Sequence, residues 1–160
     1  MTGRVEVSRL RQQLDATFAR ARTVRDDVEL QSDLARYLCV LISGFLEQAV
    51  VELLLEHTRR RAAPSVQRHV ESQLRRFTSA KAQRLVELLG SFDAEWRMNL
   101  ETFLVDERKD AVDSIVDLRN SIAHGRSVGV TISRVSNYYR EIEAVVEQVA
   151  DLCDPARQPR

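Results

Sequence analysis

Apolar residues recur at steps of three and four along most of this chain, the spacing that gathers side chains on one face of a helix. In Val5 to Glu29 the stripe is Leu10, Leu14, Phe18, Ala21 and Val24, with arginines and aspartates between, which predicts an amphipathic first helix. From Asp33 to His57 the stripe broadens until Leu38, Val40, Leu41, Ile42, Phe45, Leu46, Val50, Val51, Leu54 and Leu55 leave few polar gaps. A helix apolar on several sides must be covered on several sides, so this segment is expected at the centre.

Pro64-Ser65 then interrupts the pattern, and Ser65 is expected to cap a polar helix running to about Phe77. Ser79 is expected to cap another that ends near Gly90. Phe92 to Val105 places Trp96, Leu100, Phe103 and Leu104 in helical register, with a break near Asp106. Asp110 to His124 carries Val112, Ile115, Val116, Ile122 and Ala123 on one stripe, and Gly125 stands where a left-handed helix end is wanted. Arg126 to Thr131 reads as a loop, Ser133 to Leu152 as a closing amphipathic helix, and Pro155 and Pro159 as the end of order.

No segment alternates with a strand's period, and 5 Gly and 3 Pro in 160 residues are too few for the turns of an all-β fold. The expected fold is all-α: one up-and-down helical bundle with shorter helices between its main ones, residues 1–160 forming a single domain with a disordered tail from 154. Tyr37 to Leu55 has the length of a membrane span but contains Glu47 and Glu52, so it reads as a core helix and no membrane is expected as a partner. The charged N-terminal segment resembles no secretory leader, and Cys39 and Cys153 match no metal-ligand spacing. A reducing, cytoplasmic setting follows as the expectation.

Candidate chemistry is sparse. His57, His69 and His124 include no i, i+4 pair, which leaves no helical metal site, and no cofactor is implied. The glycines build no phosphate loop, and no G-x-S-x-G elbow occurs. What stands out is Leu118 to Gly125, which reads L-R-N-S-I-A-H-G. Arg119, seven positions after Val112, falls about 20° from it on the helical wheel, so an arginine sits inside the apolar stripe. Asn120 and His124 are i, i+4 neighbours, which gathers guanidinium, carboxamide and imidazole at one helix end. With 22 Arg, 3 Asn and 3 His in the chain, chance places R-N-x-x-x-H roughly 0.008 times.

The net charge is zero, so any pull on a polyanion must be local. Between His57 and Arg84 eight cations (Arg59, Arg60, Arg61, Arg68, Arg75, Arg76, Lys81, Arg84) face one anion, Glu71. A nucleic acid backbone could dock there. Residues 91–118 hold eight acids against three cations and could instead pair with the basic segment. Glu47, isolated on the apolar helix, is a possible supporting acid that would orient His124 or hold Arg119, or else a structural partner of an arginine. Tyr138 and Tyr139 read first as packing.

At Arg119, Asn120 and His124 the sequence resembles the HEPN superfamily, whose signature is R-N-x-x-x-H within a broader R-x(4 to 6)-H pattern. The Phe45-Leu46-Glu47 element and the closing helix are most similar to its RiboL-PSP-HEPN branch, over about Asp33 to Cys153. The resemblance implies an α-helical homodimer in which two such motifs face one another, and a metal-independent endoribonuclease of toxin or defence systems. It implies RNA as substrate, Arg119 and His124 as catalytic residues, Asn120 as an orienting one, and an antitoxin or defence-system protein as a partner. Products would end in 2′,3′-cyclic phosphate and 5′-hydroxyl. Toxins paired with nucleotidyltransferases often carry a tyrosine two residues after the histidine, where this chain has Arg126. The alternatives are a non-catalytic HEPN module that dimerises or binds a partner or nucleotide, and a helical regulator gripping nucleic acid through its basic segment.

Overall fold

The computed structural model describes residues 2–154 and 156, and among these the regular structure is seven helices and no strand. In chain order they are α1 (Gly3–Ala21), α2 (Val28–Arg61), α3 (Pro64–Leu74), α4 (Ala82–Phe92), α5 (Ala94–Phe103), α6 (Asp106–Ala123) and α7 (Ile132–Leu152). The expected end of order at Pro155 and Pro159 concerns residues outside those described.

Helix ends fall where a side chain can satisfy the first free amides, and this moves several predicted boundaries. Asp27 accepts from Leu30 N–H at 2.9 Å and starts α2 six residues before Asp33. The first helix accordingly stops at Ala21, and Val24 lies in the connector, its carbonyl accepting from Gln31 Nε2. Pro64 takes the first position of α3, where its missing N–H costs nothing, so Ala63 rather than Ser65 precedes the helix. Ser79 caps nothing either. It adopts φ 54°, and α4 begins at Ala82, whose N–H is capped from another helix by Asp113 Oδ1 at 2.9 Å.

Gly90 does not end α4, which continues to Phe92. A side chain there would meet Arg97 of α5 at 3.0 Å, so this glycine permits a close helix approach. Asp93 then closes α4 and caps α5, accepting from Glu95 N–H at 2.7 Å. The predicted break near Asp106 is present at Leu104 and Val105, and α6 starts at Asp106, φ 49°, four residues earlier than Asp110.

As its composition required, α2 is the hub: it packs against α1, α3, α6 and α7. By length and composition it could cross a membrane, yet 61% of its apolar stretch is buried inside the bundle. Leu38, Ile42, Leu46, Val50 and Leu54 are fully buried. Tyr139 stacks on Phe18 at 5.1 Å between centroids and meets the edge of Phe45 at 6.0 Å. Its hydroxyl donates to Asp15 at 2.9 Å, so both α7 tyrosines serve packing, Tyr138 accepting from Arg134 Nε. Cys39 and Cys153 are buried free thiols, pushed by that burial to about 11 and about 12, which leaves them protonated and unreactive.

Directions follow from the cross-links. Arg4 N–H bonds Glu56 at one end of the α1–α2 pair, and Arg11 meets Glu147 at 2.6 Å and Glu143 at 3.3 Å on α7. Helix α1 therefore runs antiparallel to both α2 and α7. Since α6 turns back into α7 through a short loop, α6 is antiparallel to α2.

Near the C-terminal end of α2, His57 sits edge-on to Trp96 at 4.8 Å and to Phe92 at 6.4 Å. Burial first, and Arg61 second, hold its imidazole below the ordinary 6.5, against a hydrogen bond to the Cys153 backbone and the charge of Asp93. The unfolded chain thus takes up a proton that the folded chain resists, so this stabilisation is complete above 6.5 and fades as pH falls toward the folded value. Thermal melting below about pH 6.5 is expected to show an acid-side loss that shrinks in His57→Asn. Identical pH profiles for the two proteins would refute the assignment.

Candidate functional site

Helix α6 is anchored by Ala111, Val112, Ile115 and Val116, all buried, and one turn later the same stripe delivers Arg119. There the core ends, and Leu118, Arg119, Asn120 and Ile122 are half-buried. Arg119 Nη1 donates to Asn120 Oδ1 at 3.1 Å, so the carboxamide turns toward the guanidinium. The last carbonyls of α6 are satisfied locally: His124 N–H donates to Asn120 O at 3.1 Å, Gly125 N–H to Ile122 O at 3.0 Å and Arg126 N–H to Ser121 O at 2.9 Å. Gly125 makes this possible at φ 69°, where an L residue would cost about 1–2 kcal/mol. The chain turns away at once and leaves His124, the capping residue, exposed at the negative end of the helix.

The structure thus places Arg119 and Asn120 in direct contact and sets the His124 imidazole one turn on, in solvent. This arrangement can grip an anion with a fixed planar fork and move a proton beside it. The Asn120 side chain thus meets the arginine.

Glu47 is engaged elsewhere. Its Oε1 accepts from Ser79 N–H at 2.7 Å and pins the segment entering α4, where Ser79 is left-handed. Neither Arg119 nor His124 is among its partners.

Arg134 did not stand out in the sequence. It lines, with Asp117, Ser121 and the 127–130 loop, a cleft of about 450 Å³ beside the end of α6. The one available signal was its position in the first turn of α7, immediately after the loop that follows His124.

The arginines that end α2 lie far from this end. Arg59, Arg60 and Arg61 form the last turn of α2, Arg60 pairing with Glu56 and Arg61 meeting His57 Nδ1 at 3.0 Å. Arg68 and Arg76 are exposed, and Arg75 pairs with Glu71 at 2.9 Å. Among the described residues the acidic segment reaches the basic one in a single ion pair, Lys81 with Asp117 at 2.7 Å, so the two segments do not neutralise one another broadly. The entry into α4 touches Glu47 of α2 and Asp113 of α6, which fixes a common level. From it His124 lies 11 residues away along α6, about 16 Å, and Arg60 lies 13 residues the opposite way along α2, about 20 Å. Within one chain the motif and the arginines that end α2 occupy opposite ends of the bundle, whereas Lys81 reaches α6 through Asp117.

A seven-helix bundle with a central apolar helix and an R-N-x-x-x-H element closing its penultimate helix defines a HEPN-type module. The chain matches RiboL-PSP-HEPN over residues 6–154 and belongs to that family. The match takes in α1, which the resemblance from sequence left outside. Neither a curated protein nor a solved structure matches the chain.

Proposed function

We propose that this protein is a metal-independent endoribonuclease in which Arg119 and His124 from two copies line one composite cleft. The observation that carries the reading is the Arg119–Asn120 contact at 3.1 Å on a rigid helix end, one turn before an exposed imidazole. In strand cleavage the ribose 2′-oxygen attacks phosphorus, its proton passes to a base, and the bond to the 5′-oxygen breaks as that oxygen gains a proton. A neutral His124 can accept the first proton and the protonated form can deliver the second, which two copies provide together. The Arg119 fork meets the charge that grows on the non-bridging oxygens, and Asn120 keeps it aimed. Arg126 and Arg134 add cations on the same end for flanking phosphates. The basic cluster at the far end is too distant to hold the same nucleotides. In this reading the setting is a toxin or defence system whose partner protein silences the cleft.

Exposed apolar side chains favour the dimer. Leu30, Tyr37 and Val40, at spacings of seven and three, are 42%, 53% and 39% exposed on the half of α2 that runs beside the end of α6. A second copy covering them would bring its own α6 alongside. Single-stranded RNA incubated with the protein in chelator is expected to yield 2′,3′-cyclic phosphate and 5′-hydroxyl ends. Tyr37→Glu with Val40→Glu should shift the protein to monomer in sedimentation and lower cleavage together. If RNA of varied sequence stays whole with a stable dimer present, the non-catalytic module is the better description.

A further inference from the structure

At the basic end the α2 terminus, α3 and α4 enclose a cleft of about 670 Å³. That volume falls in the range of about 300–1,000 Å³ typical of sites for small organic ligands. Its walls are aliphatic: Val66, Val70 and Leu74 come from α3 and Leu88 from α4. Its charged lining is cationic, with Arg61, Arg76 and Arg84 present and no aspartate or glutamate contributing. Neither Arg76 nor Arg84 pairs with a carboxylate among the described residues, and both are exposed.

The aromatic rings at the cleft decide between occupants. Phe92 is stacked on Trp96 at 6.3 Å and 13°, and the Arg84 guanidinium lies over the Phe77 ring at 5.5 Å. Each of these two phenyl rings has one face engaged, and the His57 ring is set edge-on to Phe92 and Trp96. A nucleic acid base needs a flat open face to stack on, whereas an alkyl chain needs only the aliphatic walls. An apolar interior with Arg76 and Arg84 unpaired by carboxylates at its edge fits an occupant with an apolar body and a negative head.

We propose that this cleft binds a single-chain amphipathic anion, an alkyl or acyl chain ending in a carboxylate or phosphate. The chain lies against Val66, Val70, Leu74 and Leu88, and the head meets Arg76 and Arg84 at the mouth. This site is independent of the RNA-cleaving one, since the two lie at opposite ends of the bundle.

Isothermal titration of the full chain with decanoate and, separately, decyl phosphate tests it, with acetate, inorganic phosphate and decanol as probes lacking one half of the ligand. Saturable binding of one anion per chain is expected, with the tighter of the two naming the head group. Acetate and phosphate should give no saturation, and decanol should bind at least about tenfold more weakly. Arg76→Gln with Arg84→Gln, both at exposed positions, should weaken the anion by about tenfold or more while the melting temperature holds. Equal binding of decanol and decanoate, or an unchanged affinity in the double variant, would overturn the proposal. So would displacement of decanoate by single-stranded RNA with parallel loss of RNA binding in that variant, which would return the cleft to nucleic acid docking.

Discussion

His124→Ala is expected to lower RNA cleavage by about 10²–10⁴-fold, the usual contribution of a positioned proton-transfer group. Because His124 is exposed, the variant should melt like the parent, so lost activity cannot be ascribed to lost fold. Arg119→Ala should cost a comparable factor, about 10²–10³-fold, by removing the fork that meets the phosphorane. Arg119→Lys keeps the charge but not two parallel donors, and recovers only part of the rate. The double variant should be little worse than either single one, since groups acting on one transition state are not additive. Rates from a cleavage time course decide the matter: full activity in His124→Ala would remove the imidazole from the mechanism.

Leu46→Ala should be among the most damaging core substitutions, lowering unfolding free energy by about 2–5 kcal/mol. Leu46 is fully buried on the hub helix, whose neighbours α1, α6 and α7 cannot all close on a vacated site. For a chain of this length each kcal/mol moves the melting temperature by about 2–4 °C. Met98→Ala, on α5 at 64% exposure, should stay within about 0.5 kcal/mol of the parent. Urea unfolding of the two variants side by side gives the comparison. A Leu46→Ala midpoint close to the parent's would mean that α2 is not the structural centre.

The apolar spacing made helix number and type legible, and the broad stripe of α2 announced its central place. Arg119 was equally legible, because the 100° wheel needs only local sequence to put it on the buried side of α6. Boundaries were less so wherever a partner distant in sequence supplied the cap. Nothing near Ala82 signals that Asp113, 31 residues later, closes its amide. Gly90 looked like a helix end because its real use, room for Arg97, depends on how α5 folds back. Glu47 could not be assigned for the same reason, since Ser79 N–H reaches it across 32 positions. The separation of the basic cluster from the motif was also hidden. It follows from the length of α2 and its antiparallel course to α6, both of which are tertiary facts.

The pairing of helices also sets a timetable during synthesis. Helices α1 and α2 are neighbours in the chain and can form a hairpin as soon as residue 61 has emerged, since domains build from the N-terminal side while translation continues. Helix α6 must instead find α2 across more than forty intervening residues, and its other wall, α7, follows it in the chain. The end of α6 consequently reaches its final setting only when the first turns of α7 have followed it. Under the proposed function, a growing chain that is surrounded by ribosomal and messenger RNA would carry its cutting residues unassembled until α7 has emerged.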